Sequence, residues 1–264
     1  MPPSRDHALP PSRSVALTAT ALALTLALTG PAVAHAAEAA APAAGVEVPV
    51  TGWQPLRFPS IDAATTYTPL ADAPGWHAEA SCAASALVHP LPHLDLAATP
   101  RLRWRWRALA AVDPPDERTR AGDDFAARVT VMFRRGSAHL SWVDRVTRTV
   151  REAAAGDPLP DRALTFVWAA RLPRGASWPS PFETGRVRLS AETSGPPDGS
   201  WHRVEVDVRA RVEAAFGSPA PPVLALAIMT DSDTVCGRAV AEYADFRWLP
   251  RSPAGTGADA PSLR

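Results

Sequence analysis

The residues best placed to do chemistry in this 264-residue chain are carboxylates at the ends of two apolar runs. Asp123 and Asp124 open the run through Phe133, and Asp231 and Asp233 follow the run that starts at Val223. If these runs are antiparallel neighbours, one rim of a sheet carries all of these carboxylates. An oxygen-only donor set suits a hard cation, and Ca2+ tolerates irregular geometry better than Mg2+. Two other uses compete. Aspartates cap turns by accepting backbone N–H bonds, and a carboxylate pair at the right separation works as acid and base on a glycosidic bond. Arg128 projects from the same strand face as Asp124 and Ala126. Its planar donor fork either neutralises the cluster or grips an anionic ligand.

A second candidate set is aromatic and basic. Trp76, Trp178 and Trp201, from a total of nine tryptophans, are candidates for a sugar platform if they lie exposed beside a shallow groove. Arg105 sits at the centre of Arg101-Leu-Arg-Trp-Arg-Trp-Arg107, and Glu242 shares a strand face with Phe246 and reads as an inward carboxylate. Together with Arg128 these form the expected ligand-binding set, against the plainer reading of core tryptophans and solvated or internally paired charges. The histidines make no close metal pair, so zinc is not expected. Cys82 and Cys236 form no CxxC, and their residues alone leave a disulfide and two buried thiols both open.

These side chains need strands to hold them. Arg101–Arg107 alternates with period two, which buries Leu102, Trp104 and Trp106 and displays Arg103, Arg105 and Arg107. Further strands are predicted at Trp53–Phe58, Thr65–Thr68, Trp76–Ala80, Ser85–Val88, Asp124–Phe133, Ala163–Ala169, Arg186–Ala191, Trp201–Val208, Val223–Met229 and Val240–Trp248. One period change, with Leu140, Val143, Val150 and Ala154 recurring at three or four, predicts an inserted amphipathic helix over Leu140–Ala155. A shorter helical turn is predicted near Arg211–Phe216. Short strands with proline-marked turns favour an all-β antiparallel sandwich of jelly-roll or galactose-binding-like type. No Gly-x-Gly-x-x-Gly, Walker loop, HExxH or Gly-x-Ser-x-Gly motif stands in the sequence.

Composition bounds the partners. All 27 basic residues are arginine and they balance 27 acidic ones, leaving no global field or polybasic run for nucleic acid. Arg5 and Arg13 precede an apolar stretch from Val15 to Leu28, and Ala34-His35-Ala36 fits cleavage before Ala37. The expected organisation is therefore a signal peptide at 1–36, a flexible leader at 37–50, one sandwich domain at 51–250 and a disordered tail at 251–264. An uncleaved anchor is the alternative. After cleavage no membrane span is expected, and the mature chain is expected to be a periplasmic or secreted monomer.

Arg103-Trp-Arg-Trp106, Gly122-Asp-Asp-Phe-Ala-Ala-Arg-Val129, Pro160-Asp-Arg-Ala-Leu-Thr-Phe-Val-Trp168 and Ala227-Ile-Met-Thr-Asp-Ser-Asp233 together resemble the DUF3047 family, from about Trp53 to Trp248. The resemblance implies one bacterial secreted or periplasmic domain and no established substrate. It also marks Cys82 and Cys236 as departures from the family pattern, and their joint appearance favours a bridge. The working expectation is a noncovalent carbohydrate-binding module for cell-envelope or extracellular polysaccharide. An envelope scaffold binding a protein partner, and a polysaccharide hydrolase or lyase using the acidic cluster, are the alternatives.

Overall fold

The computed structural model describes residues 45–134 and 162–251. The first run carries β1 (Val46–Glu47), β2 (Gln54–Leu56), β3 (Thr66–Pro69), β4 (Gly75–Ser81), β5 (Ala84–Pro90), β6 (Arg101–Ala110) and β7 (Arg128–Phe133). The second carries β8 (Arg162–Ala169), β9 (Ser177–Pro179), β10 (Val187–Ser194), β11 (His202–Asp207), α1 (Val208–Phe216), β12 (Val223–Asp231) and β13 (Arg238–Leu249). The helix α1 opens where the Asp207 carboxylate accepts the Ala210 N–H at 2.8 Å, a side-chain N-cap. The helix expected at Leu140–Ala155, the signal peptide and the tail beyond Arg251 lie outside the described residues.

The strands form two sheets, consistent with the expected β-sandwich. The first runs β11-β6-β13-β4-β3 with β1 on β13, and the second runs β2-β5-β12-β7-β8-β10-β9. All pairings are antiparallel except β8 with β10. The chain between those two strands first lays β9 on the far edge of β10, so β10 must run back parallel to β8. Pro179 within β9 and Pro181 just after it keep that edge strand short. Val46 and Glu47, within the span expected to be flexible leader, pair with Trp248 and Arg247, where backbone pairing orders a segment with no apolar periodicity.

Period-two alternation fills the interior. Leu102, Trp104, Trp106, Val204, Val206 and Tyr243 from the first sheet meet Val129, Val131, Phe166, Trp168, Leu226 and Ile228 from the second. Trp104 packs edge-on against Trp106 at 5.3 Å, and Trp106 Nε1 donates to Thr193 Oγ1 at 2.9 Å, so this indole is buried without a lost hydrogen bond.

A bulge in β13 sets Asp245 and Phe246 against the single residue Trp104, and Asp245 takes a left-handed φ of 60°. The extra residue reverses the alternation. Phe246 is in the core while Glu242 lies on the arginine-bearing outer face, so the expectation that these two share a face is corrected. Gly75 at the end of β4 is required by this geometry, because a Cβ there would lie 2.1 Å from the Tyr243 carbonyl oxygen.

Cys82 and Cys236 are joined in a disulfide. It ties the β4–β5 crossing to the β12–β13 connection, and Cys82 N donates to Gly237 O at 2.9 Å beside it.

Candidate functional site: a groove across the second sheet

The outer face of the second sheet carries a groove of about 690 Å³. Ala86, Ala227, Thr130, Thr165 and Ala163 contribute short side chains to its lining, and Met132, Met229 and Leu189 contribute longer apolar ones. The same face and the loops beside it supply Phe58 and Ile61 from the segment after β2, and Ser180, Phe182 and Glu183 from the segment after β9. Phe182 is 51% exposed, unusual for a phenylalanine, and Arg120 stacks over its ring at 5.1 Å. Thr130 and Thr165 lie opposite each other on β7 and β8 and share a hydroxyl hydrogen bond of 3.0 Å.

Asp123, Arg128, Asp231 and Asp233 also line the groove. Arg128 is buried, with its Nε 2.8 Å from Asp231 Oδ1 and its Nη2 on the other Asp231 oxygen. The guanidinium also reaches the Asp123 carboxylate at 3.4 Å and packs over the Phe125 ring at 4.5 Å. Arg128 therefore acts first as the internal counter-ion. Its backbone N donates to Tyr243 Oη at 3.3 Å, and the Tyr243 hydroxyl donates to Met229 O at 2.6 Å and bonds Thr230 Oγ1, locking the pair into the core.

Burial pushes the Asp231 carboxyl up to about 7, with Arg128 pulling the other way. Burial also raises Asp123 and Asp233. Desolvation works against the Arg128 charge, but Asp123 and Asp231 outweigh it and hold the guanidinium above its ordinary value. Asp124 caps the next connection, accepting from Thr234 N at 3.3 Å and Val235 N at 2.6 Å.

Asp124, Asp231 and Asp233 each offer an oxygen, and these atoms lie within 4.8 Å of one another. Two ligands on opposite sides of a calcium ion stand about 4.6–5.2 Å apart, so the cluster is close enough to coordinate a metal such as Ca2+. Asp123, the remaining expected ligand, is drawn instead to Arg128.

The other expected ligand residues do not join this groove. Trp178 is buried, stacked at 6.3 Å on Phe125 among Val167, Leu189 and Ala191, because β9 turns it onto the sheet; the expected exposure does not hold. Trp76 packs against the core edge, 6.3 Å from Trp53, and forms no outer platform. Arg105, Trp201 and Glu242 lie together on the outer face of the first sheet. Trp201 receives Arg105 and Arg107 at 4.4 and 4.8 Å from its ring, and Glu242 accepts from Arg107 Nε at 2.6 Å and contacts His77 Nδ1 at 3.2 Å. Sequence reasoning missed Phe58, Phe182, Thr130 and Thr165. Phe182 carried a readable signal, a lone aromatic in the proline-flanked stretch Pro179-Ser-Pro-Phe182, where no strand or helix would bury it.

Among solved structures, the family 11 carbohydrate-binding module from Clostridium thermocellum, in complex with a β-1,3-1,4-mixed-linked tetrasaccharide, is similar at 7% identity. Its TM-score is 0.40, covering 78% of this chain and 95% of that one. The family 30 carbohydrate-binding module of a C. thermocellum cellulosomal cellulase is 10% identical, with a TM-score of 0.39 over 80% of this chain and 100% of that one. A cellulase derived from Cel12A of Rhodothermus marinus is 11% identical, with a TM-score of 0.40 over 77% and 98%. These likenesses concern fold. No curated relative matches the chain. The family model for a protein of unknown function, DUF3047, matches residues 51–247, and the chain belongs to that family.

Proposed function

We propose that this protein is an exported, noncovalent polysaccharide-binding module whose ligand lies along the groove of the second sheet. The observation that carries this reading is the groove's mixed lining: apolar floor, exposed Phe182, and hydroxyls of Thr130, Thr165 and Ser180 within one open channel. A sugar ring has the same mixture, an apolar C–H face and a hydroxyl edge, and a few placed polar groups orient it. A cation such as Ca2+ at Asp124, Asp231 and Asp233 would offset the acidic excess over Arg128 beside the groove. Export is supported by the Cys82–Cys236 bridge, since disulfides persist in oxidising compartments.

The hydrolase reading has less support. Asp231 is held by Arg128 and Asp124 by backbone amides, which removes two carboxylates from a free acid–base pair. The scaffold reading is favoured by one feature, the apolar side of the groove at Leu56, Met132, Leu189 and Met229. Affinity electrophoresis against β-glucans, xylan, peptidoglycan and acidic envelope polymers separates the readings. Retardation by a polymer, lost in Phe182→Ala, is the expected result. Retardation by none, with saturable uptake of an apolar dye that Phe182→Ala abolishes, would replace it with the scaffold reading.

A further inference from the structure

The outer face of the first sheet holds a charge arrangement that the groove does not use. Register sets Arg203 of β11 directly across from Arg105 of β6, and Arg103 of β6 directly across from Arg247 of β13. Like charges placed opposite each other on one sheet face destabilise the pairing. Here two such pairs occupy successive same-face positions of β6, so arginines from three strands are set side by side.

The surrounding carboxylates cancel only part of this charge. Arg105 Nε lies 2.5 Å from Asp245 Oδ2, and Arg247 pairs with Glu47. Arg103 reaches Glu205 only at 4.0 Å, and Glu205 is already engaged by Arg101. Arg203 is exposed and has no ion-pair or hydrogen-bond partner among the described residues.

The four arginines open onto a single concavity of about 390 Å³, which Pro74 and Phe246 and two carboxylates, Glu47 and Asp245, also line, so basic side chains outnumber acidic ones there by two. The β13 bulge helps shape it, and Asp245 at its left-handed φ of 60° reaches Arg105 from there. A non-glycine residue in that conformation costs free energy and persists where its surroundings over-determine it. The side chains of Arg103, Arg105 and Arg247 are 34%, 33% and 43% exposed, so they are partly desolvated yet open to a ligand.

We propose that this concavity is an oxyanion site, taking a carboxylate or phosphate group carried by an acidic glycan, with Arg203 and Arg103 as the recruiting pair. Each guanidinium offers a planar fork that matches either oxyanion. An anion between the opposed pairs relieves their repulsion, which gives the ligand a reason to bind that an evenly mixed surface lacks. Trp201, held by Arg105 and Arg107, stands just before β11 and offers an aromatic edge to the sugar bearing that group. The site uses none of the groove residues, and its test is independent of the groove's.

The test titrates the intact chain with inorganic phosphate and, separately, with galacturonate, using glucose as the neutral control, and follows arginine Nε–Hε resonances. Saturable shifts with either anion and none with glucose are expected, and the anion that binds identifies the group recognised. Arg203→Gln should weaken binding roughly tenfold, the scale of one charge-assisted hydrogen bond. Asp245→Asn should tighten it, since asparagine tolerates the left-handed backbone and a competing negative charge is gone. Tightening is a change that a folding defect does not imitate. Arg188→Gln, an exposed arginine on the second sheet, should leave binding unchanged. The proposal is overturned by the absence of saturable shifts with both anions, by Arg203→Gln and Arg188→Gln behaving alike, or by Asp245→Asn weakening the interaction.

Discussion

The two outer faces of this sandwich use the same residue types to opposite ends. On the second sheet Arg128 and Asp231 have side chains 9% and 2% exposed, and they are fixed further by Tyr243 and Phe125. On the first sheet Arg105 and Asp245 also touch, but at 33% and 49% exposure, with water free to replace either partner. Burial turns an ion pair into architecture, because each charge left alone would be stranded in a low-dielectric site. Exposure leaves an ion pair exchangeable, so the first sheet's arginines remain available to an outside anion while Arg128 does not.

The largest expected effect tests that contrast directly. Arg128→Met strands Asp231 and Asp123, and should cost about 3–5 kcal/mol, whereas Arg105→Met should cost at most about 1 kcal/mol. Urea denaturation of both variants measures it. Equal costs would erase the distinction between the faces. Next in size is the disulfide. Replacing Cys82 and Cys236 by serine opens a bridge across 154 residues and should cost about 2–5 kcal/mol by unfolding midpoint. Because the bridge holds the β12–β13 connection, backbone hydrogen exchange should rise at Ser232–Val235 well before it rises at Arg103–Arg107. A uniform rise over both faces would show that the bridge acts only on the unfolded chain.

Much of this contrast was legible in the sequence, and its limits have physical causes. Arg101–Arg107 declared its buried and displayed faces because period-two alternation is local. The meeting of Asp123 and Asp124 with Asp231 and Asp233 followed from two strand ends facing each other, and β7 does lie beside β12. The bulge at Asp245 was not legible, since one inserted residue leaves no compositional mark, and it moved Glu242 to the other face from the one its spacing with Phe246 implied. Trp178 looked like a surface platform for a similar reason: a three-residue strand shows too little alternation to reveal which side it buries. The groove lay beyond reach because the shortness of an alanine or threonine side chain leaves no mark in the sequence and matters only once β5, β12, β7 and β8 stand side by side.

Proton and calcium dependence probe the acidic end at an intermediate size of effect. Asp231 is raised by burial to about 7, against about 3.9 for aspartate in an unfolded chain. A carboxyl raised on folding holds its proton more tightly in the native state. Its contribution is therefore complete below the unfolded value and is lost as pH climbs through the folded one. From this group the unfolding midpoint should fall between about pH 4 and pH 7, and Asp231→Asn should flatten that slope even though it lowers stability overall. Ca2+ at neutral pH should recover part of the loss, by about 2.7 kcal/mol at a hundredfold excess over its dissociation constant, and less in acid where the proton competes. Thermal melts with Ca2+ and with chelator decide the matter. Identical midpoints at neutral pH would leave Asp124, Asp231 and Asp233 as turn caps and a counter-ion for Arg128.

The smallest effect on stability separates the faces by function. Phe182 is 51% exposed and carries a single cation–π contact, from Arg120, so Phe182→Ala should shift the unfolding free energy by no more than about 1 kcal/mol. Trp201 rests on Arg105 and Arg107, and Trp201→Ala removes two cation–π contacts at a partly exposed position, each worth about 0.5–1 kcal/mol. Stability alone therefore ranks Trp201 above Phe182. Binding should rank them the other way for a neutral polysaccharide, since Phe182 borders the groove and Trp201 lies on the other sheet. Affinity electrophoresis of both variants against the same neutral polymer gives the answer, with loss of retardation in Phe182→Ala and wild-type retardation in Trp201→Ala. The reverse result would move the neutral-glycan site to the arginine-bearing sheet, where Trp201 would become its platform and the groove would be left to an apolar ligand.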